Sequence, residues 1–464
     1  MSGKKAGKAV AKTIHGSWSS PAMFVLASAG FVVGLKNIWQ FPHHLALYGG
    51  SAFLLAYVFF LLLLGVPMLM TQIMLGRLGR ASPVTALATL ADRAHAVRFW
   101  RWAGAASVLA GFLVYTYYVV VAGWILAYAA RAASGTLNGL TAEGAASVFM
   151  ALVKDPEKQL FWHSLFVLLS MVTVAGGVRA GIERVARYAV PLIFLLLLLF
   201  VGYAAGSGSF LLGSEYFLRT DFSQLGTDGM LVAMGDAFFS LGLGVGTFMM
   251  YGAYLPQTGP VFRLALYVVF ADLAAGMLAG FAVFPVLFAG GSLSAAGPGL
   301  VFQSLAVAFD PLPLGALMRT ILFALLILVA WMSTIGLAEP VVAWLVESRK
   351  LTRVRAAVLT GAAAWMVGVV CILSLNYWAF SFSLFGVTRT LGLFDVLIIL
   401  TSFVLLPLVG LTLVLFAGWV LRPETTRDAL AIESPCVHDI WLWLNRLVIP
   451  AMLVVLFFAV RLFL

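Results

Sequence analysis

Eleven stretches of roughly 20 or more mostly apolar residues, separated by polar connections, run through this chain of 464 residues. An α-helix needs about 20 apolar residues to cross the hydrocarbon core of a bilayer, and it satisfies its own backbone hydrogen bonds there. We therefore predict one all-α integral membrane domain that covers residues 1–464. The predicted spans are 21–46, 51–76, 100–131, 162–179, 185–206, 230–254, 261–289, 315–346, 355–376, 392–421 and 441–463.

The composition excludes an ordinary soluble protein, because 63% of the residues are hydrophobic and only 10% are charged, against about 25% charged in soluble domains. The net charge of +10 does not indicate a nucleic-acid partner, since the basic residues fall in short loops between apolar runs. Loops rich in Lys and Arg face the cytoplasm. A cytoplasmic amino terminus places 20 of the 28 Lys and Arg residues inside and 7 outside, with Lys36 in a span. We predict a multi-pass protein of the cell inner (plasma) membrane whose carboxyl terminus is outside.

Five charged residues lie within the predicted spans, where a charge costs about 2.5–3.5 kcal/mol on insertion scales. An intramembrane charge therefore indicates a functional site unless its side chain reaches the interface. The interfacial alternative is weaker for Lys36 and Asp272, which apolar residues flank on both sides. The five residues are Lys36, Asp236, Asp272, Glu339 and Asp395.

Glycines interrupt the first and the sixth predicted spans. Gly30 and Gly34 lie in the first span, and Gly242, Gly244 and Gly246 alternate in the sixth. Glycine costs about 1 kcal/mol in a helix interior, and unwound backbone is tolerated in a membrane only where it lines a cavity or is buried in protein. Close helix packing through small residues is the alternative. Spans one and six are equivalent positions in two five-helix halves, which favours an inverted repeat with two broken helices.

The order and spacing of many short motifs resemble the neurotransmitter:sodium symporter family over nearly the whole chain. Each motif is weak alone, but together they are highly specific. They are Trp18-Ser19-Ser20, Gly34-Leu35-x-Asn37-x-Trp39-x-Phe41-Pro42, Gly49-Gly50-Ser51-Ala52-Phe53-Leu54, Gly65-Val66-Pro67, Gly76-Arg77, Tyr117-Tyr118 with Trp124, Ala237-Phe238-Phe239-Ser240-Leu241, Gly297-Pro298-Gly299 and Glu339-Pro340.

The resemblance implies a leucine-transporter-like fold of 5+5 inverted repeats with about eleven helices, of which the first and sixth are broken. It places the cytoplasmic tail at 1–20, the repeats at about 21–206 and 230–421, and an extra helix at about 441–463. It also implies a secondary active transporter, not an enzyme, that moves an amino acid or related small amine by alternating access. Sodium is the implied coupling ion, with fewer bound ions than usual as an open alternative and with no organic cofactor.

The resemblance also implies a substrate site and two sodium sites. The substrate site would use Val32, Leu35, Lys36, Val114, Tyr118, Phe239, Ser240, Gly242, Val245, Ser333 and Leu337. The first sodium site would use Val32, Asn37, Ser240 and Asp272, and the second would use Gly30, Val33, Val329 and Ser333, with Met332 where the family has threonine. Gln40, Asp236 and Asp395 would form the outer gate. Tyr118 is expected to bind a substrate carboxylate.

Several residues depart from the family pattern. Lys36 replaces a usual glycine, Gln40 a usual arginine and Asp236 a usual glutamine. Met332 offers a thioether where a hydroxyl is usual, unless the alignment slips by one residue to Ser333-Thr334. These departures leave three functions open. The protein is a sodium symporter, a sodium-independent or proton-coupled transporter or exchanger in which Lys36 replaces a sodium ion, or a sensor that does not transport. The substrate and the oligomeric state are not determined by the sequence.

Overall fold

The computed structural model describes residues 15–256, 259–291, 298–378, 380–384 and 387–459. In chain order its helices are α1 (Pro21–Val32), α2 (Leu35–Leu47), α3 (Ser51–Gly79), α4 (Pro83–Arg93), α5 (Arg98–Ala133), α6 (Ala142–Val153), α7 (Pro156–Ala175), α8 (Val178–Ala205), α9 (Phe210–Leu218), α10 (Phe222–Ser240), α11 (Thr247–Ala253), α12 (Val261–Ala289), α13 (Leu305–Ala308), α14 (Gly315–Arg349), α15 (Arg353–Ser374), α16 (Leu393–Val420), α17 (Pro423–Leu430) and α18 (Pro435–Phe458). Nine of these helices are long and apolar enough to cross a membrane, and the pair α1 and α2 forms a tenth span.

The first span is broken between α1 and α2, which meet at an angle of 60°. The Val33 amide donates the last hydrogen bond of α1 to Ala29. Gly34 then adopts an extended conformation, and its amide donates to the Asn37 side chain at 3.0 Å. The side chain of Asn37 therefore caps the new helix, as short polar side chains do at helix starts. The interruption predicted from glycine spacing is confirmed.

The second break separates α10 from α11 at residues 241–246. Gly242, Gly244 and Gly246 have φ angles of +59°, +96° and +81°, in the left-handed region. This region costs residues with a Cβ atom about 1–2 kcal/mol each, so three alternating positions of this kind require glycine. The predicted break in the sixth span is also confirmed, since α10 ends at Ser240 and α11 begins at Thr247.

Both breaks lie among long helices. The helix α14 packs along α5 and α1, while α12 packs against α1, α2 and α8. The helix α10 packs against α3, and α11 packs against α3 and α14. The ends of four half-helices therefore meet inside the bundle, where neighbouring helices shield their free backbone groups from lipid.

Seven of the predicted spans agree with the helices within a few residues, whereas the fourth, fifth, sixth and last begin about six to eight residues earlier than predicted. The fourth span begins at Pro156 and ends at Ala175, because Gly177 (φ +80°) starts a new helix. The last span begins at Pro435. The segment 422–440, whose Pro, Glu, Thr and Asp residues predict a solvated cytoplasmic loop, also contains the short helix α17.

The connection between α15 and α16 contains an antiparallel hairpin that the sequence analysis did not predict. Its strands are β1 (Phe380–Leu384) and β2 (Val387–Leu391). Before α14, the predicted short helices are present as a π-helical turn at Leu300–Ser304 followed by α13. Gly297 and the four amino-terminal lysines lie outside the described residues.

Candidate functional site

Asp272 is fully buried in the middle of α12 and accepts hydrogen bonds from three other helices. Asn37 Nδ2 donates to one carboxylate oxygen at 2.8 Å, and Ser240 Oγ donates to the same oxygen at 2.5 Å. The Tyr57 hydroxyl donates to the other oxygen at 2.8 Å. Burying a carboxylate is costly unless hydrogen bonds compensate for lost water. Because Asn37 starts α2 and Ser240 ends α10, the carboxylate joins the two breaks.

The residues predicted for the first sodium site are brought together by this cluster. Asp272, Asn37 and Ser240 supply side-chain oxygens, and Val32 places its carbonyl at the carboxyl end of α1. Oxygen donors with one negative charge suit a hard cation, and carbonyls at helix breaks bind sodium in transporters. The donor set therefore fits a co-transported sodium ion. Tyr57, which the sequence analysis missed, is a lone hydroxyl in an apolar run.

Lys36 lies outside the Asp272 cluster. Its Nζ is 5.0 Å from the centre of the Phe239 ring, and its side chain is exposed on a cavity. No ion pair joins Lys36 to an acid among the described residues. Lys36 is not among the described groups that donate to the Asp272 carboxylate, which are Asn37, Ser240 and Tyr57. This geometry gives no support to Lys36 as a replacement for the first sodium ion.

The cavity has a volume of about 550 Å³ and begins at the start of α2. It extends past α5 and α10 towards α6 and the amino-terminal end of α16. Eight of its lining residues are aromatic, and Lys36 is the one charged residue among those described. The lining residues are Leu35, Lys36, Trp39, Gln40, Tyr117, Tyr118, Val121, Trp124, Phe149, Met150, Val153, Phe239, Pro298, Gly299, Phe394, Ile398, Ser402 and Phe403.

Tyr118 lies on α5 where the cavity meets the first break. Its hydroxyl is buried and makes no hydrogen bond in the described structure, although Leu35 and Ser333 are close. A buried tyrosine hydroxyl usually has a partner. The amides of Leu35 and Lys36 begin α2 and have no acceptor one turn earlier within the helix, whereas the Asn37 amide donates to the Gly34 carbonyl at 3.1 Å. Together these donors suit the carboxylate of a bound solute.

Four of the predicted substrate residues line the cavity, namely Leu35, Lys36, Tyr118 and Phe239. Ser240 lies in an adjoining small crevice with Lys36, Asn37 and Asp236. The remaining residues lie around the breaks but do not line the cavity in this conformation, and their role in binding stays a prediction. They are Val32, Val114, Gly242, Val245, Ser333 and Leu337.

Phe31 fills the space beside two of the glycines near the breaks. A Cβ atom on Gly242 would lie 2.8 Å from the Phe31 ring, and a Cβ atom on Gly336 would also overlap that ring. The small residue at 242 therefore makes room for Phe31 and not for a larger solute. This role of Phe31 was not predicted from the sequence, because the contact of its ring with Gly242 and Gly336 depends on how the helices pack.

Two of the three predicted gate residues, Asp236 and Asp395, have separate partners, and the third, Gln40, lines the cavity. Asp236 pairs with His44, with Oδ2 2.7 Å from Nδ1. Asp395 accepts a hydrogen bond of 3.0 Å from the Gly392 amide and thereby caps α16. The Asp236–His44 pair links α2 to α10, a contact not predicted even though the Pro42-His43-His44 segment departs from the family pattern.

The residues predicted for the second sodium site lie where α14 faces α1. Ser333 Oγ is 3.3 Å from the Phe31 carbonyl and 3.2 Å from the Val329 carbonyl. Met332 packs its side chain on Gly30, which leaves no space for a Cβ atom there. Thr334 points the other way and accepts a hydrogen bond of 2.9 Å from Ser170 on α7. Thr334 therefore faces α7 and not α1 in this structure.

The end of the bundle where the chain enters α1 is closed. Trp18 is buried, and its indole N–H donates to the Tyr251 carbonyl at 2.9 Å. The next residue, Ser19, donates its amide to Glu183 at 3.0 Å. His15 pairs with Glu347 at 2.8 Å. These contacts attach the entering segment to three separate helices.

A buried ion pair lies beside this closure. Glu339 is fully buried in α14, pairs with Arg353 of α15 and accepts a hydrogen bond from the Tyr254 hydroxyl. The sequence analysis left open whether Glu339 reaches an interface, and the structure gives it a buried cationic partner instead. Pairing of this kind is required for a carboxylate away from water.

The fold agrees with comparisons to known proteins. A model of the sodium:neurotransmitter symporter family matches residues 15–143 and 157–459. The uncharacterized sodium-dependent transporter YhdH of Bacillus subtilis (strain 168) is 32% identical over 447 residues, covering 95% of this chain and 96% of that protein. An uncharacterized sodium-dependent transporter of Haemophilus influenzae is 29% identical over 448 residues, covering 95% and 97%.

Among solved structures, the crystal structure of MhsT in complex with L-phenylalanine superposes with a TM-score of 0.86 at 32% identity, covering 96% of this chain and 99% of that one. The expected leucine-transporter-like fold with broken helices is confirmed. Members of the matched family are transporters and not enzymes. The family model covers nearly the whole chain, and the relatives are matched end to end. The chain therefore belongs to the sodium:neurotransmitter symporter family.

Proposed function

We propose that this protein is a secondary active transporter that couples uptake of an amino acid or related small solute to sodium by alternating access. The observation that carries the proposal is the start of α2, where Leu35 and Lys36 line a cavity of about 550 Å³ together with Tyr118, whose buried hydroxyl makes no hydrogen bond in the described structure. Binding pockets for small molecules typically have volumes of about 300–1,000 Å³. The similar transporter MhsT was crystallised in complex with L-phenylalanine, which makes an amino acid the first solute to test.

The two ions have separate roles in this proposal. The first sodium ion would bind at Asp272, Asn37, Ser240 and the Val32 carbonyl, so that it joins the two breaks next to the cavity. The second would bind between α1 and α14, at Ser333 and the carbonyls of Gly30, Val33 and Val329. Met332 supplies no hydroxyl there, so the second ion is bound more weakly than the first.

Alternating access follows from the two ends of the bundle. The cavity lies on the α2 side, while Trp18, Ser19 and the Glu339–Arg353 pair close the α1 side. We propose that release of the solute requires these closing contacts to break. In a plasma membrane with the amino terminus in the cytoplasm, this cycle moves solute inwards through one domain made of two halves, about 21–206 and 230–421.

The experiment is uptake of radiolabelled L-phenylalanine, and of a pool of labelled amino acids, into proteoliposomes that contain the purified full-length protein. An inward sodium gradient should drive accumulation, and replacement of sodium by potassium should remove it. Accumulation that is equal with both cations would contradict sodium coupling. Binding without accumulation under any gradient would instead support the solute sensor.

A further inference from the structure

Lys36 places a basic side chain in the cavity at a position where the family usually has glycine. It is the one charged residue in the described cavity lining, and its Nζ lies over the Phe239 ring at 5.0 Å. Its side chain is exposed on the cavity, whereas the neighbouring residues Leu35 and Asn37 are buried. A lysine amine is a compact cation with three hydrogen-bond donors. The protonated Lys36 side chain therefore places a positive charge in the cavity at the start of α2.

The acids near Lys36 are engaged with other groups. Asp236 borders the same small crevice but pairs with His44 at 2.7 Å. Asp272 accepts hydrogen bonds from Asn37 and two hydroxyl groups. No described acid lies within 4.0 Å of the Lys36 nitrogen. The negative charge that balances Lys36 can therefore come from a bound solute.

Two further features of the cavity favour an anion. The unpaired amides of α2 form the positive end of a helix dipole next to Lys36. The Tyr118 hydroxyl is a buried donor without a partner at the same end. Three kinds of donor thus converge on one region, and a carboxylate accepts hydrogen bonds from all of them.

The rest of the cavity lining is unsuited to a second cation. No acidic side chain is among its described residues, and Lys36 already covers the face of Phe239. The ammonium of an amino acid would enter a space that already contains the like charge of Lys36, and like charges repel. The other aromatic rings, which include Trp39, Trp124 and Phe394, suit an apolar or aromatic body.

We propose that the solute is an apolar monocarboxylate without an α-ammonium group, such as an aryl-substituted alkanoate, and that Lys36 is its counter-ion. This inference rests on the proposed transport function but replaces the amino acid as its solute by a related small solute that lacks the amino group. Lys36 supplies the ammonium that an amino acid would otherwise bring to the site. The residue therefore determines specificity by charge, while the aromatic lining selects for an apolar body.

The test uses three ligands that share one phenyl ring and differ in charge. They are 3-phenylpropionate, L-phenylalanine and 2-phenylethylamine. Binding to the purified full-length protein is measured by isothermal titration calorimetry at a fixed sodium concentration. We expect 3-phenylpropionate to bind at least tenfold more tightly than L-phenylalanine and the amine to bind most weakly. Equal binding of the first two, tighter binding of L-phenylalanine, or no binding of 3-phenylpropionate would overturn the inference.

The variants separate charge from folding. Lys36→Gly should weaken 3-phenylpropionate at least tenfold and remove the preference over L-phenylalanine, whereas Lys36→Arg should keep it. Lys350→Gly is the matched control, because Lys350 is exposed at the end of α14 and has a φ of +54° that glycine adopts easily. If Lys36→Gly does not fold, Lys36→Met provides the same charge removal. An unchanged preference in the charge-free variant would overturn the role of Lys36.

Uptake distinguishes this inference from the proposed function. If a sodium gradient drives L-phenylalanine but not 3-phenylpropionate into proteoliposomes, the solute inference is wrong and sodium-coupled transport stands. If 3-phenylpropionate binds with the expected preference but no gradient concentrates it, the inference about the site stands and the transport function is wrong.

Discussion

Asn37 Nδ2 donates a hydrogen bond of 2.8 Å to the Asp272 carboxylate, while Asn37 Oδ1 accepts one of 3.0 Å from the Gly34 amide. One side chain therefore shapes the break between α1 and α2 and attaches it to the buried acid on α12. Movement of α2 relative to α12 must stretch or break this contact. Ion binding at Asp272 and the position of α2 are coupled for this reason.

Removal of the Asp272 carboxylate should impair sodium binding. Asp272→Ala leaves Asn37, Tyr57 and Ser240 without their acceptor, and each buried unsatisfied group costs about 1–3 kcal/mol. We expect a clearly lower Tm in detergent and at least a tenfold loss of apparent sodium affinity, measured as sodium-dependent protection against heating. Asp92→Asn is the control, since its ion pair with Arg98 is exposed. Unchanged sodium protection in Asp272→Ala would exclude the proposed first ion site.

The Tyr118 hydroxyl should bind the solute directly. A hydrogen bond to a charged group contributes about 1.5–3 kcal/mol, so Tyr118→Phe should weaken binding roughly 10- to 100-fold by calorimetry. Tyr128→Phe is a matched control on the same helix, because the Tyr128 hydroxyl is also buried and unpartnered but does not line the cavity. Equal affinities for the two variants would show that the Tyr118 hydroxyl has a structural role only.

The second break should require glycine at position 244. Its φ of +96° lies in the left-handed region, and a Cβ atom there would lie 3.1 Å from the Leu406 carbonyl. Gly244→Ala should lower Tm and abolish sodium-driven uptake. Gly202→Ala is the opposite case, because Gly202 is helical with open space around it, and alanine there should stabilise the helix by about 1 kcal/mol. A Gly244→Ala protein with normal uptake would show that the strained turn is dispensable.

A hydroxyl at position 332 should strengthen the second ion site. Met332 faces Gly30 of α1 and offers only a thioether, which is a poorer ligand for a hard cation than oxygen. Met332→Thr should lower the sodium concentration needed for half-maximal binding and raise the Hill coefficient of the sodium titration. Met332→Leu changes the packing without adding oxygen and serves as the control. If both variants show the same shift, packing and not ligation is responsible.

Loss of the Glu339–Arg353 pair should open the closed end of the bundle. Removing one partner of a buried pair costs about 3–5 kcal/mol because the other charge is left unpaired. Glu339→Gln should therefore lower Tm by several degrees and increase protease cleavage of the segment that contains Trp18. Glu433→Gln, at an exposed position, should change neither measurement. Normal stability of Glu339→Gln would mean that the closure does not depend on this pair.

Much of the architecture could be predicted from the sequence because the bilayer imposes strict requirements on the segments that cross it. A helix that crosses it must be apolar for about 20 residues, and this rule located every span, including those that contain Lys36 and Asp272. Glycine at three alternating positions can be recognised as a break, since no other residue adopts a positive φ so readily. The motif order then identified the family.

Contacts between distant residues were decided only by the tertiary structure. Hydropathy does not say which faces of two helices meet, so the Asp236–His44 pair and the filling of the space beside Gly242 by Phe31 could not be predicted. The two possible side-chain pairs of the second sodium site, Met332–Ser333 and Ser333–Thr334, differ by about 100° of rotation around α14. In the structure, Met332 is the residue that packs against Gly30 of α1. The charge of Lys36 follows from the sequence, but its position over Phe239 in a cavity without acids depends on how the helices pack around the break.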